Sequence, residues 1–192
     1  MSEDKGDLDL NLIERTVAGD ESAFEELVKK YQHSVLNTIY RYIGNYNEAD
    51  DIAQDVFVKV WRKIKSFKGK AKFSTWLYRI VVNQCLDYRR KSKRKTEIVS
   101  LDKKLEEGKI PESLTVGIDF EQKKRESIVR QAINELPDKQ RIAMILAKYE
   151  AKSYQEIADI MGVSLSNVAS IIYRAKENLK VKLLPLREKG EI

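Results

Sequence analysis

Asp50, Asp51, Gln54 and Asp55 lie within EADDIAQDVFVKVW, and two pairs among them are four residues apart, stacked in adjacent rows on one helix. Carboxylates so placed have three uses. They can hold a metal-bridged diphosphate, lie idle in water, or meet basic and polar groups of a protein partner. The first, the chemistry of magnesium-dependent prenyl transfer, needs a second acidic cluster across a large apolar cavity, and no such cluster is evident in the sequence. A solvated face and a docking surface remain open on spacing alone.

The stretch that follows mixes cations with aromatics: Lys68, Lys70, Lys72, Phe73, Trp76, Tyr78 and Arg79, then Tyr88, Arg89, Arg90, Lys91, Lys93, Arg94 and Lys95. Cations neutralise phosphates and release counterions. Aromatic faces stack on bases once these are unpaired. The combination suits single-stranded or melting DNA better than closed duplex. Asn83 and Asp87, one turn apart, can bond a base edge. The plainer alternative is a basic solvated face over core aromatics, with Trp76 or Tyr78 in the core.

A third pattern is YQEIADIMGVSLSNVASIIY, Tyr154–Tyr173. Ala158 is small enough for two helices to cross closely, Gly162 can take the left-handed turn conformation, and Val168 fixes the second helix on the first. Ser153 and Glu156 form a capping box, and Ser164 can cap the next helix. This is a helix-turn-helix, which places its second helix in the DNA major groove. Val168, Ile172, Ala175 and Leu179 form the buried stripe, leaving Ser166, Asn167, Ser170, Tyr173 and Arg174 outside. Asn167 is the best candidate for a base contact, since asparagine can pair bidentately with adenine. Arg174, Lys176, Lys180 and Lys182 are expected to grip phosphates. Two core helices joined by a glycine turn are the alternative.

The elements that must position these groups are helical. Only three prolines and eight glycines interrupt 192 residues, of which 34% are charged. The expected fold class is all-α, with two helical domains joined by a flexible linker. Residues 1–95 make the first domain: a helix over Leu8–Ala18, a second capped by Asp20 and ended by Gly44-Asn45, a third after Asn47, and a fourth over Phe73–Arg90. Residues 96–118, with Gly108, Pro111 and Gly117 and no apolar face, read as the linker. Residues 119–192 make a four-helix unit that the helix-turn-helix completes.

The formal net charge is +6, but it is segregated. Residues 1–26 carry nine acidic against two basic side chains, and residues 68–95 carry ten basic against one acidic. Segregation of this kind favours a nucleic-acid face. No apolar run reaches the ~18 residues of a membrane span, and the acidic MSEDKGDLDL lacks a signal-peptide core, so a cytoplasmic location is expected. Cys85 is the single cysteine and His33 the single histidine, so an internal disulfide is excluded and neither a metal site nor a histidine triad is expected.

In this order, AGDESAFEELVKKY, EADDIAQDVFVKVWRKIKSF, FSTWLYRIVVNQCLDYRRK, INELPDKQRIAMIL and YQEIADIMGVSLSNVASIIYRAKENLK resemble the extracytoplasmic-function (ECF) sigma factors of bacteria, in the sigma-70 family, over roughly residues 8–184. The resemblance implies that Asp50, Asp51, Gln54 and Asp55 dock on the β′ clamp helices of core RNA polymerase. It implies that Lys70, Lys72, Phe73, Trp76, Tyr78, Arg79, Asn83, Asp87 and Arg90 serve −10 recognition and melting. Ser164, Ser166, Asn167, Ser170, Arg174 and Lys176 would serve −35 recognition, and the linker would thread towards the polymerase active centre. An anti-sigma factor is an expected partner. No catalytic chemistry, cofactor, metal or small-molecule substrate is expected. Where the family commonly shows Thr-Val-Lys/Arg-Ser-Arg, this chain has Asn167-Val168-Ala169-Ser170-Ile171, without the two cations; Ile171 is expected to touch a thymine methyl instead. The competing reading is a stand-alone helix-turn-helix regulator with a helical sensing domain. A helical adaptor without DNA binding leaves the basic segment unexplained.

Overall fold

The structure, a computed structural model, describes residues 4–98 and 120–190. Among these residues there are eight α-helices and no strand. The first block holds α1 (Asp4–Val17), α2 (Glu21–Ile43), α3 (Tyr46–Lys63), a 3-10 turn (Ile64–Ser66) and α4 (Phe73–Ile98). The second holds α5 (Phe120–Asn134), α6 (Asp138–Lys148), α7 (Tyr154–Met161) and α8 (Leu165–Glu188).

Side-chain caps set several of the helix starts. The Asp20 carboxylate accepts from the Ala23 amide at the start of α2. Hydrogen bonds from Ser22 and Arg15 hold that carboxyl down to about 2. A carboxyl lowered in this way contributes its capping above the ordinary carboxylate range and loses it as the pH falls towards 2. Gly44 ends α2 in the left-handed conformation (φ 89°), and Asn45 caps α3 by accepting from the Glu48 amide. The third helix therefore starts at Tyr46, two residues earlier than its apolar pattern suggests. Likewise α4 runs to Ile98 rather than Arg90, since nothing in KSKRKTEI breaks a helix. Residues 99–118 of the expected linker lie outside the described residues.

Apolar stripes at helical spacing bury against one another. Leu27, Val35, Ile39 and Tyr42 of α2 meet Ala49, Ala53, Val56 and Val60 of α3 and Leu77, Val81 and Cys85 of α4. In the second block Ile142, Ile145 and Leu146 of α6 pack with Ile157 and Ile160 of α7 and with Val168, Ile172 and Ala175 of α8. Buried residues of both blocks form one continuous cluster, with α4 lying along α7 and α2 along α6. Cys85 is fully buried, and burial raises its thiol well above the ordinary range, leaving it an inert hydrophobe.

Candidate nucleic-acid interface

Local sequence builds the helix-turn-helix. The Ser153 hydroxyl accepts from the Glu156 amide at 3.2 Å while the Ser153 amide donates to the Glu156 carboxylate at 3.0 Å, completing the capping box. That backbone bond holds the Glu156 carboxyl below its ordinary value. Gly162 sits at φ 66°, ψ 39°, with open space where a Cβ would point, so conformation and not crowding selects glycine. Ser164 caps α8 by accepting from the Asn167 amide at 3.2 Å. Ser153→Ala should cost about 1 kcal/mol, read as a lower urea midpoint of the full chain with an unchanged slope.

On α8 the outward face holds Ser164, Ser166, Asn167, Ser170, Tyr173, Arg174 and Lys176, all exposed. Two of them are internally braced. Ser170 donates to the Ser166 carbonyl and the Arg174 guanidinium to the Ser170 carbonyl. Tyr173, two-thirds exposed, extends this face by a turn and was absent from the sequence-derived set of contact residues. Ile171 corrects an expectation. It is only 5% exposed, because Val168, Ile171, Ile172 and Ala175 fall on one buried stripe, so its side chain is not offered to a thymine methyl.

On α3, Asp51, Gln54 and Asp55 are exposed and Asp50 is half-buried, with Gln54 donating to Asp50 at 3.0 Å. Val58 and Trp61, both more than 40% exposed, continue the row towards the end of the helix. This helix thus presents carboxylates, an amide and two large apolar groups on its outer side.

The basic helix α4 and the segment just before it are divided. Lys70, Lys72, Arg79, Asn83 and Arg90 are exposed, while Trp76 and Asp87 are half-buried. Phe73 and Tyr78 depart from the expectation that they offer ring faces to bases. Phe73 begins the buried row Phe73–Leu77–Val81–Cys85 and packs edge-on with Tyr31 and Phe67. Tyr78 is 2% exposed and donates its phenol to Glu150 of the second block. Burial, reinforced by the Glu150 carboxylate, raises that phenol, so it remains a donor at neutral pH. Asp87 pairs with Arg90 one turn on.

Several of these cations are met by the second block. Lys72 lies 3.6 Å from Glu156, Arg79 donates to the Asp159 carbonyl from two nitrogens, and Arg89 pairs with Asp138 at 3.2 Å. Arg141, 1% exposed, donates to the Tyr42 carbonyl at 3.0 Å and lies against the Tyr42 ring. Burial, with the nearby Arg89 charge, lowers its guanidinium to about 10, so it stays protonated at neutral pH. Arg90 and Leu86 of α4 share one open groove of about 620 Å³ with Asn167, Ile171 and Arg174 of α8. Residues of the two candidate reading helices therefore face one groove, together with Pro137, Asp138, Lys139 and Gln140 at the start of α6. None of these seam contacts is legible in the sequence, since their partners are remote along the chain and carry no local signature.

Comparison with known proteins follows the same division. Residues 27–95 match the family model for sigma-70 region 2, and residues 126–179 that for sigma-70 region 4. The RNA polymerase sigma-H factor of Pseudomonas aeruginosa is 36% identical over 188 residues, covering 93% of this chain and 95% of that one. The ECF RNA polymerase sigma-E factor of Escherichia coli K12 is 35% identical over 185 residues, covering 91% and 94%. The chain belongs to the ECF sigma factors of the sigma-70 family. Its fold is shared with CnrH, solved in complex with the cytosolic domain of CnrY (TM-score 0.68, 22% identity, 92% of this chain and 97% of that one). It is shared also with RpoE of Bartonella quintana, solved with the anti-sigma factor NepR (TM-score 0.63, 23% identity, 83% and 96%). Among the described residues no helix is long and apolar enough to cross a membrane.

Proposed function

We propose that this chain is a promoter-specificity subunit that binds core RNA polymerase, directs promoter-specific initiation by reading −35 and −10 elements, and melts the DNA. The observation that carries the reading is the joint presence, in one chain, of the carboxylate–amide face on α3, the basic face on α4 and the exposed polar face of α8. Family membership favours it over a stand-alone helix-turn-helix regulator. The domain division is 1–95 for docking and the −10 element, 96–118 for the linker, and 119–192 for the −35 element.

Within that frame Asp50, Asp51, Gln54 and Asp55 dock on the β′ clamp helices, where carboxylates and an amide complement basic and polar groups. Lys70, Lys72, Arg79 and Arg90 neutralise phosphates, Asn83 and Asp87 face base edges, and Trp76 supplies the accessible ring. Phe73 and Tyr78 serve the −10 face by packing beneath it, and Tyr78 reaches bases only once Glu150 has left. On α8, Asn167 reads a base while Ser164, Ser166, Ser170, Arg174 and Lys176 set register on the backbone. The chain acts in the cytoplasm with the polymerase, is controlled by an anti-sigma partner, and performs no catalysis of its own.

Co-elution of the purified chain with bacterial core polymerase on gel filtration tests the assignment; migration as two separate species contradicts it. Asn167→Ala should relax preference at one −35 position by about 1–3 kcal/mol, read by selection from a randomised −35 library. An unchanged preference at every position removes Asn167 from base reading.

A further inference from the structure

By their nominal positions the −35 and −10 elements are centred about 25 base pairs apart, roughly 85 Å along B-DNA at 3.4 Å per base pair. A compact chain of this length has a radius of gyration of only about 16 Å. With Arg90 and Asn167 lining one groove, the described arrangement cannot span both elements. It also sets α7 along α4 and engages Lys72, Arg79 and Arg89 internally. On the reading proposed above, this is a closed state that has to open.

We infer that the α6–α7 loop, residues 149–152, is the latch of this closed state, with the Glu150 carboxylate as its bolt. Glu150 enters the slot between α2 and α4. One carboxylate oxygen lies 2.8 Å from the Thr38 hydroxyl, whose single proton is shared with the Ser34 carbonyl at 2.8 Å, and the other accepts from the Tyr78 phenol. Its neighbours clamp the same slot. The Arg41 guanidinium covers the Tyr149 ring at 4.0 Å, and the Lys152 ammonium lies 4.9 Å from the centre of the Tyr78 ring. Ala151, between them, has φ +47°, the one non-glycine residue with positive φ among those described. The turn is closed locally, by the Lys152 amide donating to the Leu146 carbonyl at 3.1 Å, so the loop keeps one shape as it enters the slot.

Elsewhere the seam carries the Lys72, Arg79, Arg89 and Arg141 contacts, but it also leaves three polar atoms without partners. Tyr42 Oη, Asn134 Oδ1 and Arg141 Nε are buried with no hydrogen-bond partner among the described residues, and all three belong to helices that meet across it. Water satisfies such atoms on opening, so they oppose closure. The charged hydrogen bond from Tyr78 to Glu150 adds to the Lys72, Arg79 and Arg89 contacts in offsetting these costs, and it is the one made by the loop inside the slot. The partner fitted to the slot is thus a carboxylate of the chain itself.

The test uses the full chain and small-angle X-ray scattering. Glu150→Ala and Tyr78→Phe each remove one end of the same contact. A hydrogen bond to a charged group supports about a tenfold or larger shift in the open-to-closed ratio when lost. Each variant should therefore scatter as a larger particle than the native chain, with unchanged helical circular dichroism. The double variant should open no further than the more open of the two, because both act on one contact. Scattering of Glu150→Ala identical to the native chain overturns the latch, as does strict additivity of the two changes. Should Tyr78→Phe lose helicity, Glu150→Ala, on a loop, decides alone. Failure of the sigma reading is distinct, since scattering can still respond to Glu150→Ala while no promoter-dependent transcript appears with core polymerase.

Discussion

Reversing Asp51 and Asp55 to lysine abolishes association with core RNA polymerase and leaves the helical content of the chain unchanged. Both side chains are exposed on α3, past its first turn, and the buried residues Ala49, Ala53, Val56 and Val60 lie on the opposite side, so the fold does not depend on them. At an interface, however, two cations placed against a basic or polar surface turn attraction into repulsion. Like-charge juxtaposition costs several kcal/mol, which corresponds to a loss of about a hundredfold or more in affinity. Val58 and Trp61 lie on the same outer side, and their apolar area is available to the same contact. Titration of labelled chain with core polymerase reads the effect. Binding by the double variant within threefold of the native chain removes this face from the docking account.

The second large effect is on the −35 domain itself. Ile157→Ala in α7 should destabilise the chain by about 2–5 kcal/mol through the cavity it leaves. Ile157 has no solvent exposure and packs within the shared α6–α7–α8 core. Because α7 carries no contact residue in the proposed −35 set, duplex binding by the surviving folded molecules should keep its sequence preference and lose only occupancy. Urea denaturation gives the stability loss, and −35 duplex titration gives the preference. A variant as stable as the native chain shows that α7 is not held by this packing. A changed preference instead assigns α7 a part in reading.

The contrast between what could and could not be read from the chain follows from range. The capping box at Ser153 and Glu156, the left-handed Gly162 and the cap at Ser164 are contacts within four residues, and residue type alone carries them. The stripes of α2, α6 and α8 are written in repeats of three and four, and so was the inward position of Phe73, which its aromatic character had obscured. Ile171 departs from the expected base contact because it falls on the same three-and-four period as Val168, Ile172 and Ala175. The seam is another matter. Thr38 and Glu150 are 112 residues apart, and Tyr78 and Glu150 are 72 apart. A glutamate after a tyrosine at a helix end looks like any solvated loop residue, and nothing in INELPDKQR marks Arg141 as buried. Such pairings arise only when two amphipathic blocks choose one another's faces. The same choice explains why the basic face of α4, legible as a charge run, is found partly spent on the chain's own carboxylates and carbonyls.

Run-off transcription on fragmented genomic DNA, with core RNA polymerase alone, with this chain alone and with both, decides whether the chain confers promoter specificity. Discrete transcripts that require both components, with shared −35 and −10 sequences upstream of their starts, are the predicted result. Specific duplex binding by the chain alone, with no new transcript when core polymerase is added, contradicts it.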